Sequence, residues 1–202
     1  MKSINQYINE KLKVSKKQYN YCPKTRKELD NLLNQLLKER GWEADLNDID
    51  TSNITDMSNL FTRYRKLNCD ISYWDVSNVT NMYNMFYYCE SFEGKGLENW
   101  DVSNVTNMVC MFDRCNNFNC DLSGWDVSNV SDMTRTFYEC INFKGKGLEN
   151  WDVSNVINMY NMFYDCKKLD CDLSNWNVSN ITNTYDMFAG CHLKDEYKPK
   201  FR

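Results

Sequence analysis

The chain has 202 residues, with 24 Lys and Arg against 28 Asp and Glu, a net charge of −4 and one His. That balance excludes the basic face that nucleic-acid binding requires, and no run of 18 apolar residues offers a membrane-spanning helix. A single His leaves little material for acid–base catalysis.

The first predicted element is a short helix near residues 3–13, from the spacing of Ile4, Tyr7, Ile8 and Leu12. With the linker over 14–24 it forms an N-terminal leader, residues 1–24. A helical cap follows over 25–48. Thr25 and Glu28 have the spacing of a capping box. Leu29, Leu32, Leu33, Leu36 and Leu37 lie on one stripe, and Gly41 supplies a left-handed stop.

From residue 49 one phrase recurs. It reads IDTSNITDM at 49–57, WDVSNVTNM at 74–82 and 100–108, WDVSNVSDM at 125–133, WDVSNVINM at 151–159 and WNVSNITNT at 176–184. The intervals from Ile49 to Trp176 are 25, 26, 25, 26 and 25 residues. A period in this range marks units that stack, each completing the interior of its neighbour. The Trp–x–Val pairs predict a short strand with both side chains inward. Val130, Met133, Phe137 and Cys140, at steps of three and four, predict one or two helical turns. The expected fold is therefore α/β: six such units over 49–193 with a parallel sheet, and a polar tail over 194–202.

The recurring positions define the expected core: Trp74, Trp100, Trp125, Trp151 and Trp176; Phe86, Phe112, Phe137, Phe163 and Phe188; Cys89, Cys115, Cys140, Cys166 and Cys191. Cysteine in phase with Phe behaves as a small buried hydrophobe, so free thiols are expected despite ten cysteines. A second period of 51 residues relates Phe92–Trp100 to Phe143–Trp151, and its Gly-Lys-Gly segments read as turns, not phosphate loops.

The pattern L-x-x-W-x-V, then V-x-x-M-x-x-x-F-x-x-C, resembles the bacterial surface protein 26-residue repeat. That group sits with the BspA-like leucine-rich repeats and includes the domain of unknown function of mycoplasma and Listeria lipoproteins. The resemblance implies a right-handed leucine-rich-repeat-like solenoid and a surface or host-interaction role as a binding scaffold. INQYINEKLKVSK and DLNDIDTSNITDM are similar to openings of proteins encoded by crAss-like phages of gut Bacteroidales. The opening lacks the apolar core of a secretory signal. The expected location is the bacterial cytoplasm or a phage virion, with the cell surface requiring an export route of another kind.

The sharpest candidate site is an acidic column, Asp75, Asp101, Asp126 and Asp152, projecting between Trp and Val on the expected sheet face, with Tyr73 at its border. Neighbouring like charges on a sheet need an offset: a cation, a basic partner, or hydrogen bonds from an adjacent coil. Cys110, Cys115 and Cys120 lack metal-ligand spacing, and no metal or cofactor is expected. Specificity should lie where units differ, including Tyr87, Tyr88, Tyr138 and Tyr164. The expected function is a non-enzymatic repeat scaffold binding a protein, or a glycan. The alternatives are a structural or accessory protein of a phage particle and a calcium-binding surface module.

Overall fold

The structure is a computed structural model and describes residues 19–201. The expected leader helix over 3–13 lies outside the described residues. One α-helix, α1, spans Arg26–Arg40. Thr25 is extended and its Oγ1 accepts the Glu28 amide at 3.2 Å, while the Glu28 carboxylate accepts the Lys24 amide at 2.7 Å. These bonds satisfy amides that a helix start leaves open. Gly41, at φ 85, donates its amide to Leu37 O and ends the helix. Leu29, Leu33, Leu36 and Leu37 are buried against the first unit. The Arg26 guanidinium donates to Ser58 O at 2.7 Å and fixes α1 across that unit.

The expected α/β architecture is corrected by the backbone. Among the described residues there is no β-strand, and beyond α1 the only helical segments are three-residue 3-10 turns at Leu97–Asn99, Leu148–Asn150 and Asp195–Tyr197. The chain is otherwise loop and turn, so it is not a leucine-rich-repeat solenoid with a parallel sheet. The units meet through isolated parallel bridges, one residue wide, linking Asp56, Asn81, Asn107, Asp132, Asn158 and Asn183 in series. These residues precede the Met or Thr slot and are not the Trp–Val pair.

Two local features prevent a strand at Trp–Val. Each Asp of the phrase folds its carboxylate back onto the Ser two residues on, with Ser77 N to Asp75 Oδ1 at 3.0 Å, and a tight turn follows, with Val79 N to Val76 O at 2.8 Å. The indole also occupies a carbonyl of the unit before: Trp74 Nε1 donates to Leu46 O at 2.9 Å and Trp125 Nε1 to Leu97 O at 2.8 Å. No room remains for a ladder of more than a residue or two.

The expected helical turns are absent for a different reason. In each unit two residues four apart hold left-handed backbone: Asn59 and Arg63, Asn84 and Tyr88, Cys110 and Arg114, Arg135 and Glu139, Asn161 and Asp165. The segment becomes a run of overlapping turns closed by i→i−3 bonds, such as Thr136 N to Met133 O at 3.2 Å and Cys140 N to Phe137 O at 3.0 Å. Overlapping four-residue turns reproduce the three-and-four spacing of a helix while breaking its ladder. Alternate amides are thereby freed to face the following unit. In the second unit Asn84 N reaches Val109 O at 3.0 Å, Phe86 N reaches Met111 O at 2.9 Å and Tyr88 N reaches Asp113 O at 2.8 Å. The same three slots repeat this at every junction, each bond contributing about 0.5–1.5 kcal/mol.

Side-chain ladders run the other way. Asn78, Asn104, Asn129, Asn155 and Asn180 each donate Nδ2 to a Ser carbonyl of the preceding unit at 2.7–2.9 Å. Cys89, Cys115, Cys140 and Cys166 donate their thiols to Phe61, Phe86, Phe112 and Phe137 carbonyls at 2.9–3.0 Å. The phenylalanines form one column, with ring centroids 5.4–5.7 Å apart from Phe61 through Phe188. Trp74, Trp100, Trp125, Trp151 and Trp176 are 3–6 % exposed. Phe188 and Cys191, in the final unit, are only half-buried.

Candidate functional site

The acidic column lies at the surface: Asp75, Asp101, Asp126 and Asp152 are all exposed. With no sheet face for them to line, each carboxylate is engaged inside its own unit, not by an adjacent coil. Ser103 Oγ donates to Asp101 Oδ1 at 2.6 Å, and the Ser128 and Ser154 amides donate to Asp126 and Asp152 at 3.0 Å. These serine hydrogen bonds hold Asp101, Asp126 and Asp152 below the ordinary carboxylate value; for Asp126 they outweigh the raising influence of burial and of the neighbouring Asp152 and Asp101. The calcium-module reading is overturned here, since the carboxylates of the column do not converge on one another but each turns back onto the serine of its own unit. The described residues contain no group of three His, Cys, Asp or Glu that could hold a metal ion. Tyr73 is 67 % exposed and its amide donates to Asn47 Oδ1 at 2.7 Å.

All ten cysteines are free thiols. Burial pushes Cys69 and Cys110 up to about 12 and Cys115, Cys140 and Cys166 well above the usual thiol range. Such thiols are poor nucleophiles at neutral pH. A hollow of about 850 Å3 lies along the glycine-turn edge and mixes Glu93, Lys95, Asp121, Lys144 and Lys168 without a convergent catalytic set.

A different surface gathers chemistry that no single unit displays. It is a ridge of arginine and tyrosine on the overlapping turns. Arg65 lies 5.8 Å from the Tyr88 ring centroid and pairs with Glu90 at 2.6 Å. Arg114 sits between Tyr88 and Tyr138, at 4.9 and 5.5 Å, and pairs with Glu139 through Nε at 2.9 Å. That hydrogen bond raises the Arg114 value further above its ordinary one. Arg135 covers Tyr138 at 3.7 Å, and Tyr138 stacks on Tyr164 at 4.8 Å. Cation–π contacts of this kind contribute about 0.5–2 kcal/mol each.

Under the ridge lies an ion pair. Arg135 Nε donates to Asp113 Oδ2 at 2.7 Å, and the Asp113 side chain is fully buried. Burial pushes Asp113 up more than Arg135 pulls it down. Burial also works against the Arg135 charge, but the Asp113 hydrogen bond and charge prevail and raise it. Asp113 Oδ1, Thr134 Oγ1 and Asn161 Oδ1 are buried without hydrogen-bond partners.

At the N-terminal end of the ridge Arg63, Arg65, Tyr87 and Tyr88 line a shallow hollow of about 340 Å3. Arg63 is exposed and forms no ion pair among the described residues. Sequence reasoning picked out Tyr87, Tyr88, Tyr138 and Tyr164 but missed the arginines between them. The available signal was substitution within a slot: Arg63, Tyr88, Arg114 and Glu139 occupy the place held by Asp165 and Gly190 in the last two units, and Arg135 the place of Asn59, Asn84 and Asn161.

A family profile described as "Mycoplasma protein of unknown function, DUF285" matches residues 29–146 and 120–198. No curated protein and no solved structure matches. The match supports that mycoplasma family, but not the leucine-rich-repeat or BspA-like assignment, and not the phage resemblance. With no sheet to present, the reading as a repeat scaffold loses its basis as well, and the phage-particle reading finds no support in the family match. No helix among the described residues is long and apolar enough to cross a membrane.

Proposed function

The chain belongs to the DUF285 family of mycoplasma proteins of unknown function, and we propose that it works without catalysis, by holding an acidic segment of a protein partner along the arginine–tyrosine ridge. The observation that carries this reading is the backbone beneath the ridge. Arg63, Tyr88, Arg114, Arg135 and Glu139 all sit at positive φ, between 53° and 66°. Left-handed backbone costs such side chains about 1–2 kcal/mol each, and Asn, Asp or Gly serve the same slots elsewhere. Local strain retained in one region is a pointer to function.

The chemistry of the hollow selects the ligand class. Two guanidinium groups beside two phenol rings suit a carboxylate carried on a chain with apolar or aromatic neighbours. Arg63 supplies a charge that no carboxylate among the described residues neutralises. The test places an aromatic photo-reactive residue at position 87, which lines the same hollow and leaves Arg63 and Arg65 in place, and separately at 126, in the full chain within producing cells. A protein joined at 87 but not at 126, and displaced by a glutamate-rich peptide, supports the reading. Equal capture at both positions, or capture at 87 that a glutamate-rich peptide does not displace, overturns it. An acidic polysaccharide presents the same oxyanion, and displacement by it alone would make the partner a glycan.

A further inference from the structure

The inner junctions are polar in one direction, and the last unit leaves that polarity open. Asn161 N reaches Tyr185 O at 3.0 Å, Phe163 N reaches Met187 O at 2.9 Å and Asp165 N reaches Ala189 O at 2.8 Å. The corresponding amides one unit later, on Asp186, Phe188 and Gly190, have no partner among the described residues. Their row presents donors only. Beside it, Val178, Ile181, Phe188 and Cys191 are half-buried, whereas Val153, Val156, Phe163 and Cys166 are at most 1 % exposed. Ile157 and Tyr185 extend the apolar area, at 52 % and 66 % exposed. The C-terminal segment covers part of this end: Tyr197 O accepts the Leu173 amide at 2.8 Å, and Lys198 Nζ lies over the Phe188 ring, 5.8 Å from its centroid.

We infer that this end docks an amphipathic helix of a partner protein whose apolar stripe covers Ile181 and Phe188 and whose polar border supplies Glu or Gln oxygens to the open amides. The chain closes its opposite end in the complementary manner. There the open groups are carbonyls, α1 brings a leucine stripe, and Arg26 supplies a donor to Ser58 O. A donor edge needs the same device with the sign reversed, because burying amides unpaired is unfavourable. A second copy of this chain does not fit. Tail to tail, donors would face donors; head to tail, α1 occupies the acceptor end. The occupant is a helix in a groove, a common recognition mode. This surface is separate from the arginine–tyrosine ridge and does not depend on it.

The test uses the full chain and two 18-residue helical peptides with one leucine stripe, bordered by Glu in one and by Lys in the other. Amide exchange is followed by NMR. The Glu-bordered peptide should slow exchange at Phe188 and Gly190 at least tenfold, and the Lys-bordered peptide should not. Asp186→Asn removes one of the two carboxylates of that edge, the other being Asp165, whose carboxylate lies against Gly190, and should tighten the Glu-bordered peptide several-fold. Tyr185→Asp should weaken it, with Phe163 exchange unchanged as the sign of an intact fold. Equal protection by both peptides, protection that spares Phe188 and Gly190, or none at millimolar peptide overturns the inference.

Discussion

The two ends of the stack solve the same problem to different degrees. At the N-terminal end α1 buries Leu29, Leu33, Leu36 and Leu37 and gives Arg26 to an open carbonyl. At the C-terminal end a short tail satisfies Leu173, while Phe188, Ile181 and three amides face outward. Every interior unit is closed on both sides by its neighbours. Stability should therefore be highest in the middle, substantial under α1 and lowest at the tail, as expected where adjacent units carry the interactions.

The largest effect should come from breaking the phenylalanine column at its centre. Phe112→Ala removes a ring stacked on Phe86, Phe118 and Phe137, and a loss of about 3–5 kcal/mol in urea unfolding is expected. Leu36→Ala under α1 should cost about 2–4 kcal/mol, and Phe188→Ala, half-exposed, no more than about 2 kcal/mol. A Phe188 cost equal to that of Phe112 would remove the contrast between interior and tail.

Acid should sharpen the same contrast. Asp101, Asp126 and Asp152 are depressed by their serine bonds, and Asp121 is lowered to about 2 by Lys146 and Ser123. A carboxylate whose folded value lies below its unfolded value adds stability above the unfolded value, here 3.8, and that stability disappears as pH falls through the folded value. Interior units should loosen between pH 4 and 2. The last unit carries Asn177 in the Asp slot and should show no such titration from that turn. Residue-resolved exchange across this range checks both statements.

A smaller effect concerns strain. Arg63→Asn places a residue suited to left-handed backbone at an exposed slot. Stability should be unchanged or rise by up to about 1 kcal/mol, while partner capture at the ridge is lost. Thiol labelling gives the mildest readout. In the native state Cys22, which is exposed, should react first and half-buried Cys110 and Cys191 next, and the buried thiols only on unfolding; mass spectrometry of the labelled chain reads the order.

Much of the interior was visible in the sequence because a side chain that recurs every 25 or 26 residues has one place to go. Trp125, Phe137 and Cys140 are buried where their spacing puts them together. The backbone was not legible. The spacing of Val130, Met133, Phe137 and Cys140 fits a helix as well as overlapping turns, and the positive φ values that decide between them fall on Arg135 and Glu139, which carry no glycine signal. Trp–Val read as a strand because two apolar residues in alternation say nothing about the Asp–Ser turn beside them. The ridge was hidden for a third reason: Arg65, Tyr88, Arg114, Tyr138 and Arg135 come from four different units and meet only when those units lie in register.

The tryptophan bonds give the molecule a built-in optical gauge. Each of five indoles donates across one boundary, from Trp74 to Leu46 through Trp176 to Leu148. A set of proteins each keeping a single one of these fluorophores would report the opening of each boundary separately. The emission maxima would then trace how unfolding travels along the stack.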